Sequence, residues 1–235
     1  MTLPHHHAGH FGRKTRIASR ETGQKLMDGA YFKLENMIVT GLLEPGRWVS
    51  ESDLMELSGF SRAPVRSAIQ RLSDQQLLSV HSRRGAQVCP IDYTQQFRAL
   101  ELRRVVECLL VRSAAERATS GQRLQFATLS KAFRVISKSK SQTRMTETDA
   151  VSFALLLEAA DNAFAAKAMA SVKGLSRRFW VLNQEQHGNS NRMALAHADV
   201  THAISLGSAA GGEKAVNALI DYVEEFTLKV VGYSG

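Results

Sequence analysis

The stretch "GFSRAPVRSAIQRL", from Gly59 to Leu72, predicts a short helix with one apolar face and one basic face. Ser61 is a favourable N-cap, and Pro64 falls in the first turn, where a missing N–H costs no hydrogen bond. The apolar residues follow helical spacing and form the predicted buried stripe, namely Val65, Ala68, Ile69 and Leu72. This pattern predicts a helix that is seated in a core along one side.

The opposite side of the predicted helix presents Arg62, Arg66 and Gln70, which recur at four-residue spacing. Arginine can pair with the O6 and N7 atoms of guanine in the major groove of DNA, and glutamine can pair with adenine. The structural alternative is that these residues only solvate a surface helix, because exposed arginine pairs are common. The segments around the helix decide between the two interpretations.

Those segments predict further elements on both sides. Apolar periodicity predicts a helix over residues 24–40, and Pro45-Gly46 predicts a turn. Ser50 is placed to cap a short helix that has acids in its first turn and ends at Gly59. "LLSVHSRRGAQVCP", residues 77–90, predicts two strands that are joined by a polar turn.

Three helices and a hairpin predict a winged helix-turn-helix domain over residues 23–90. The wing tip contains Arg83, Arg84 and Gly85, and such a tip can approach a phosphate or a minor groove closely. Residues 1–22 lack helical periodicity and are rich in basic and small polar residues, so we predict a flexible basic arm there.

Residues 91–235 predict an all-α bundle of about six helices, so the fold class is mainly α with one small β-hairpin wing. The breaks between helices are predicted at Gly121, Asn162, Gly188 and Gly211-Gly212. No strand pattern and no short repeat interrupts this region.

Composition narrows the class of protein. Hydrophobic residues make up 44% and charged residues 22% of 235 residues, which is typical of a globular chain. No apolar run has the length of a membrane span, and the N-terminus does not resemble a secretory signal, so we expect a bacterial cytoplasmic protein that is nucleoid-associated when bound to DNA. Cys89 and Cys108 fit neither a disulfide framework nor a zinc site. The net charge of +8 suits a polyanionic partner.

Residues 41–88 resemble the DNA-binding domain of the GntR family of bacterial transcription regulators. The matching motifs are the "G-x-L-x-P-G" turn, the acidic "SE-x-x-L" helix start, "SR-x-PVR-x-A" and the "RRGAQV" wing. The resemblance implies that this region contacts an operator on double-stranded DNA. The predicted DNA-binding residues are Ser52, Ser61, Arg62, Ala63, Arg66, Gln70, Arg83, Arg84 and Gly85.

The rest of the chain resembles the helical effector domain of the FadR subfamily, the FCD domain, in its shorter six-helix VanR-like form. "LELRRVVECLLVRSAAERAT" is similar to its opening helix, with Arg103 and Glu107 at the expected spacing. The resemblance implies a homodimer that binds a palindromic operator and a small organic-acid effector, with repression as the expected outcome. It therefore implies a regulator and not an enzyme.

Many FCD domains hold a divalent metal with one Asp and three His, and the resemblance implies where those positions fall. Phe153 and Asn162 set a register that places Ala150 and Ala154 at the first two ligand positions. His197 matches the second His, and Tyr222 falls at the third. The weak metal candidates are therefore Asp149 and His197, and with one family ligand kept we predict no metal cofactor.

We predict instead a metal-free pocket in which Arg103 pairs with the effector carboxylate. The predicted effector-binding residues are Arg103, Asn162, His197 and Tyr222. The structural alternative is that Tyr222 is a core aromatic and that Arg103 pairs with Glu107 four residues on.

Two other functions stay open at the level of sequence. One is a regulator whose helical domain is degenerate and senses nothing. The other is a metal-dependent enzyme, which scattered His, Asp and Glu residues suggest but which no nucleophile motif supports.

Overall fold

The computed structural model describes residues 11–139 and 141–232, with side chains from residue 23 onward. The chain forms two compact units, Met1–Pro90 and Ile91–Gly235. The described residues are mainly helical, and their strands all belong to the first unit. The mainly α fold with a winged N-terminal unit and six C-terminal helices is thereby confirmed.

The first unit contains three helices and three strands. In chain order they are α1 (Phe11–Val39), β1 (Trp48–Val49), α2 (Glu51–Ser58), α3 (Arg62–Asp74), β2 (Leu78–His81) and β3 (Gly85–Val88). Helix α1 packs mainly against α3. Their contact buries aliphatic side chains such as Leu34, Ile38 and Leu72, which fixes the orientation of α3 within the unit.

Helix α1 begins earlier than its pattern predicts. We expected a flexible arm over residues 1–22, of which residues 1–10 lie outside the described residues, but the backbone is already helical from Phe11. Arg, Lys, Ala and Glu dominate the segment that follows, and these residues favour a helix even where no apolar stripe requires one. Amphipathic periodicity detects an apolar stripe in the sequence and misses a helix whose sequence has none.

The wing is a three-stranded antiparallel sheet in the order β1-β3-β2. The hairpin of β2 and β3 pairs Leu78 with Val88 and His81 with Gly85. Strand β1, which the sequence pattern did not reveal, adds Trp48 opposite Gln87 on the other edge of β3. Two residues are too few for an alternation of polar and apolar side chains to be recognised in the sequence.

The second unit is a bundle of six helices. They are α4 (Tyr93–Arg117), α5 (Ser120–Ser139), α6 (Gln142–Ala160), α7 (Ala163–His187), α8 (Ser190–Ser205) and α9 (Ala209–Val230). Helix α5 packs mainly against α8, and α4 mainly against α9. The core between them is dominated by fully buried Phe126, Phe133 and Phe226.

Two of the predicted helix breaks lie two to four residues away from the observed turns. Gly121 lies in the first turn of α5, and Gly211-Gly212 lies in the first turn of α9. The chain turns instead at residues 118–119 and 206–208, where Ser208 caps α9 by accepting a hydrogen bond from the Gly211 N–H. Asn162 and Gly188 are at the ends of α7, as predicted. None of the described helices is long and apolar enough to cross a membrane.

Candidate functional site

Helix α2 begins with a reciprocal capping box. The Ser50 hydroxyl accepts a hydrogen bond from the Asp53 N–H at 3.1 Å, and the Asp53 carboxylate accepts one from the Ser50 N–H at 2.8 Å. These hydrogen bonds lower the pKa of the Asp53 carboxyl. Gly59 ends the helix in the left-handed conformation at φ 71°, so the turn into α3 is fixed at both ends.

Helix α3 separates its buried and exposed faces much as its sequence predicts. Val65, Ala68 and Leu72 are buried, as is Pro64 in the first turn, whereas Ile69 is half-buried. Ser61 occupies the N-cap position, but its side chain makes no capping hydrogen bond. Its hydroxyl is exposed and therefore accessible to a DNA phosphate.

The two arginines of α3 share one carboxylate partner. Glu51 lies with Oε1 2.9 Å from the Nε atom of Arg62 and with Oε2 2.6 Å from the Nε atom of Arg66. Both arginine side chains are 66% exposed. A guanidinium has five N–H donors, so a bond at Nε leaves donors for a base edge or a phosphate. Glu51 therefore orients both side chains on the exposed face of α3.

The remaining predicted contact residues of α2 and α3 are also exposed. Gln70 donates a hydrogen bond from Nε2 to the Asp74 Oδ1 atom at 2.9 Å, one turn further along α3. Ser52, in the first turn of α2, and Ala63, in the first turn of α3, are both at the surface.

The wing tip is a tight turn with two residues in the left-handed region. Arg83 has φ 66° and Gly85 has φ 89°. A Cβ atom at Gly85 would lie 2.6 Å from the Val49 carbonyl oxygen of β1, so only glycine fits there. Arg83 and Arg84 are both exposed. A strained non-glycine residue at an exposed basic tip is typical of a functional position.

The helical unit contains a partly open cavity of about 90 Å³ that is lined by α4, α6, α7, α8 and α9. One part of its wall is apolar, with Phe153, Trp180 and Val223 among the side chains. The other part is charged, and it contains Arg103 and His197 of the predicted effector residues. The structure thus brings these two residues to one cavity.

Arg103 is held from two sides. Its Nη2 atom donates to the Glu107 Oε2 atom at 2.9 Å, and its Nη1 atom donates to the Ser176 Oγ atom at 2.7 Å. The Arg103 and Glu107 side chains are nearly buried, at 12% and 10% exposure. Arg103 therefore both pairs with Glu107, as the structural alternative expected, and faces the cavity.

Three other charged or titratable side chains meet in another part of the cavity wall. Asp149 Oδ2 lies 3.6 Å from Lys173 Nζ, and Asp149 Oδ1 lies 3.7 Å from His197 Nδ1. The Lys173 Nζ atom also lies 3.3 Å from the ring centroid of Phe153, and the His197 ring stacks on Phe133 at a centroid distance of 5.3 Å. These contacts hold the cluster on the apolar core.

Burial and charge oppose one another in this cluster. Burial lowers the pKa of His197, against the attraction of Asp149 and Glu107, which keeps the imidazole neutral. Burial also lowers the pKa of Lys173. Burial raises the pKa of Asp149, but the positive charges of Lys173, Arg177 and Arg103 outweigh it, and the net pKa is lowered. Asp149 is therefore a carboxylate.

The position of Asp149 corrects the register expected for α6. The resemblance implies that Ala150 and Ala154 fall at the first two metal-ligand positions, and Asp149 is rotated by about 100° around the helix from Ala150. In the structure Asp149 and Phe153 line the cavity, whereas Ala150 and Ala154 are exposed. The residues of α6 that line the cavity are thus Met145, Asp149 and Phe153, and Asp149 contacts Lys173 of α7 and His197 of α8.

Tyr222 and Asn162 lie outside the cavity, contrary to the expectation that they line it. On α9 the lining residues are Leu219 and Val223, so Tyr222 is rotated by about 100° from Val223. Its hydroxyl accepts from the Asn189 N–H at 2.7 Å and donates to the Asn189 carbonyl at 3.0 Å. Asn162 is the N-cap of α7, where it accepts from the Ala165 N–H at 3.1 Å. Both residues have structural roles.

The side chains at the cavity provide few ligands for a divalent metal. The described residues contain no cluster of three or more His, Cys, Asp or Glu side chains with metal-ligand geometry. Asp149 and His197 provide two ligands at most, and the Lys173 ammonium lies beside them, where it would repel a cation. His187 and His202, the other histidines of this region, do not line the cavity.

Sequence reasoning missed Glu51 and Lys173. The sequence contained a signal for Glu51. An acid at the first position of α2 is within reach of the basic helix α3 that follows. Lys173 had none, because it lies in a long helix with basic residues on several faces. Only the packing of α7 against α4 decides which of these basic residues points into the bundle.

Comparisons with known proteins agree with this architecture. The family model described as "Bacterial regulatory proteins, gntR family" matches residues 26–88. The FCD domain model matches residues 98–222. The chain is 25% identical over 195 residues to the HTH-type transcriptional repressor RspR of Escherichia coli, a match that covers 83% of this chain and 86% of the relative.

Two solved structures share the fold. E. coli McbR/YncC has a TM-score of 0.74 at 15% identity, and the match covers 88% of this chain and 99% of that one. A GntR-type transcriptional regulator from Rhodococcus sp. RHA1 has a TM-score of 0.60 at 21% identity, and the match covers 95% of this chain and 100% of that one.

Proposed function

Because the chain belongs to the gntR family of bacterial regulatory proteins and has an FCD domain, it is a DNA-binding transcriptional regulator and not an enzyme, and we propose that it is a homodimeric repressor that responds to a small carboxylate. The cavity of the helical unit is the observation on which the response rests. It places cationic side chains beside an apolar wall inside a unit that is separate from the DNA-binding one.

The exposed face of α3 and the wing tip support sequence-specific binding. Arg62, Arg66 and Gln70 are accessible from one side of α3, where they suit the edges of guanine and adenine. Arg83 and Arg84 at the wing tip suit phosphates or a minor groove. Base contacts supply specificity, and phosphate contacts supply affinity that falls with salt.

A homodimer is supported by an apolar stripe on α4. Leu102, Val105 and Leu109 are spaced by three and four residues on one side of the helix, and Val105 is 70% exposed. A second copy of the chain would cover the same stripe in an isologous contact. Such a dimer presents two copies of α3 to the half-sites of a palindromic operator.

A repressive outcome is supported by the similarity to RspR, which is named as a transcriptional repressor. An effector that fits one dimer geometry better than another shifts the population toward it and changes operator affinity. A location in the bacterial cytoplasm, on the nucleoid when bound, is supported by DNA as the partner.

Binding of the purified chain to DNA upstream of its own gene tests the proposal. We expect specific binding that unrelated DNA does not compete away. Arg66→Ala is expected to weaken it about 5- to 150-fold, the loss typical of one base-pairing side chain. Lys131→Ala removes the same charge from an exposed site of α5 and is the matched control. Unchanged binding by the Arg66 variant would contradict the DNA-binding assignment of α3.

The effector response is tested by titrating small organic acids into the protein–DNA complex. A release of DNA that saturates with effector is the expected result. Operator binding that no acid alters would leave a regulator with a degenerate helical domain, the alternative function that the sequence left open.

A further inference from the structure

The exposed face of α4 has the spacing of a seam along which two helices can pair. Its residues follow one another in alternating steps of four and three, so they stay on one side of the helix over about 27 Å. In chain order these exposed residues are Arg98, Leu102, Val105, Leu109, Arg112 and Glu116. Glu101, which is also exposed, lies at the edge of the same face. A second helix with an equivalent face can pack along this whole length at a crossing angle of about 20°.

Charged residues flank the apolar centre of this face on both sides. Two lie toward each end of it, and they are Arg98, Glu101, Arg112 and Glu116. Among the side chains that the structure describes, none of the four forms an ion pair or a side-chain hydrogen bond. Arg104, on another side of α4, by contrast contacts both Asp221 and Glu224. The four charges of the face are therefore available to a second molecule.

The signs of these charges follow the same order at both ends of the face, with the arginine first and the glutamate after it. Residue 107 is the midpoint, because Arg98 and Glu116 lie nine residues on either side of it. When two copies of α4 run antiparallel about a two-fold axis at that midpoint, Arg98 lies opposite Glu116 of the partner subunit. The same axis brings Glu101 next to Arg112 of the partner subunit. Symmetry makes each of these attractive pairs occur twice.

Other ways of pairing the same face bring like charges together. In a parallel pair, each charged residue lies opposite its own copy. In an antiparallel pair that is centred on Val105, Arg98 lies opposite Arg112 of the partner subunit. Like charges at opposed positions destabilise a pair by about as much as opposite charges stabilise it. The order of the charges therefore favours one orientation and one register.

We propose that Arg98, Glu101, Arg112 and Glu116 select a second copy of this chain as the partner, in an antiparallel contact of the two α4 helices that is centred on residue 107. The apolar centre of the face supplies the burial. The charges decide the register and the partner, because a helix with another order of charges would oppose like charges here. This inference rests on the proposed function, since it specifies how the homodimer proposed there is formed.

Reversal of one charge and its rescue test the register. Arg98→Glu is expected to weaken the dimer about 5- to 30-fold, because symmetry turns two attractive pairs into two repulsive ones. Arg98→Glu/Glu116→Arg is expected to return the dissociation constant to within about threefold of that of the unmodified chain, since the opposed charges are again of opposite sign. Lys131→Glu reverses an exposed charge on α5 and is the matched control. Sedimentation equilibrium of the full chain measures each constant, and the differences should shrink in high salt.

A mixing experiment tests the choice of partner. The variant Arg98→Glu/Arg112→Glu has only acidic residues among the four positions, and Glu101→Arg/Glu116→Arg has only basic ones. Each variant alone is expected to dimerise more weakly than Arg98→Glu does, because all of its opposed charges repel. An equimolar mixture of the two is expected to form a heterodimer, in which every opposed pair is of opposite sign. Circular dichroism of each variant verifies that it is folded.

The proposal is overturned if the folded Arg98→Glu variant dimerises as tightly as the unmodified chain, or if Glu116→Arg does not rescue it. Tighter dimerisation of Arg98→Glu would also overturn it, because that result belongs to the register in which Arg98 opposes Arg112. A dimer that is indifferent to all of these reversals would contradict this inference and leave the proposed homodimer standing with another interface. An unmodified chain that stays monomeric at about 0.1 mM would contradict the homodimer itself.

Discussion

The Oε2 atom of Glu51 lies 2.6 Å from the Nε atom of Arg66 and thereby joins the first turn of α2 to the exposed face of α3. Its other oxygen binds Arg62 in the same way. A carboxylate on a DNA-facing surface is unfavourable for affinity, since it opposes the phosphates. Its contribution is to fix the direction of two long side chains, which reduces the entropy that they lose on binding.

Glu51→Gln is expected to increase affinity for unrelated DNA several-fold and to lower the ratio of specific to non-specific binding. The variant loses one negative charge and frees both arginines to contact phosphates. Fluorescence anisotropy with operator and scrambled duplexes at two salt concentrations measures both quantities. A specificity ratio equal to that of the unmodified chain would show that the ion pair does not preorganise the arginines.

Gly85→Ala is expected to destabilise the winged unit by about 2–4 kcal/mol. Alanine is strained at φ 89°, and its Cβ atom would press against the Val49 carbonyl oxygen. Gly46→Ala is the matched control, because it has φ 83° with nothing near its Cβ position, and should cost only about 1–2 kcal/mol. Thermal unfolding compares the two, and equal losses would mean that the contact with β1 does not matter.

The buried face of α3 could be predicted from sequence, because the apolar residues that recur at helical spacing are the ones that are buried. Val65, Ala68 and Leu72 are examples. The residues that line the cavity could not be predicted from sequence, because they depend on how each helix is rotated about its axis in the bundle. A shift of one residue moves a side chain by about 100°, and this separates Ala150 from Asp149 and Tyr222 from Val223. Arg103 was identified through the resemblance of its helix to the opening helix of the FCD domain, and its spacing of four residues from Glu107 predicted their contact.

Val105→Asp is expected to shift the protein toward monomer and to weaken binding to a palindromic operator. The substitution places a charge in the centre of the apolar stripe on α4, where a second copy would have to desolvate it. Leu124→Asp on α5 is the control, since Leu124 is equally exposed, at 71%, and lies off that stripe. Light scattering measures the mass of each variant. A Val105 variant that stays dimeric would place the interface elsewhere.

Tyr222→Phe tests the role that the structure gives to this residue. Removing the hydroxyl leaves the Asn189 N–H and carbonyl without their partner, so we expect a loss of about 1–3 kcal/mol in the free energy of unfolding. Denaturant titration measures it. The response of operator binding to small organic acids should be unaffected, because Tyr222 lies outside the cavity. A weakened response with unchanged stability would instead place the hydroxyl at the ligand.

The pH dependence of stability should reveal the half-buried His197. Its pKa in the folded protein lies below the value of about 6.5 expected in the unfolded chain. Between the two values the unfolded chain binds more protons than the folded one, so the free energy of unfolding falls as the pH falls from about 7. Asp149 acts in the same direction but only in the more acidic range, because its lowered pKa departs from an unfolded value near 3.9.

His197→Gln is therefore expected to flatten the stability profile below about pH 7 while leaving the acidic decline that Asp149 contributes. The neighbouring charges of Arg103 and Lys173 disfavour a protonated imidazole, and those of Asp149 and Glu107 favour it. His202→Gln, at an exposed position of α8, removes a histidine from the same helix without removing a buried one. Urea unfolding at a series of pH values gives the slope for each variant. A slope in the His197 variant as steep as in the unmodified chain would mean that the imidazole is not held neutral by burial.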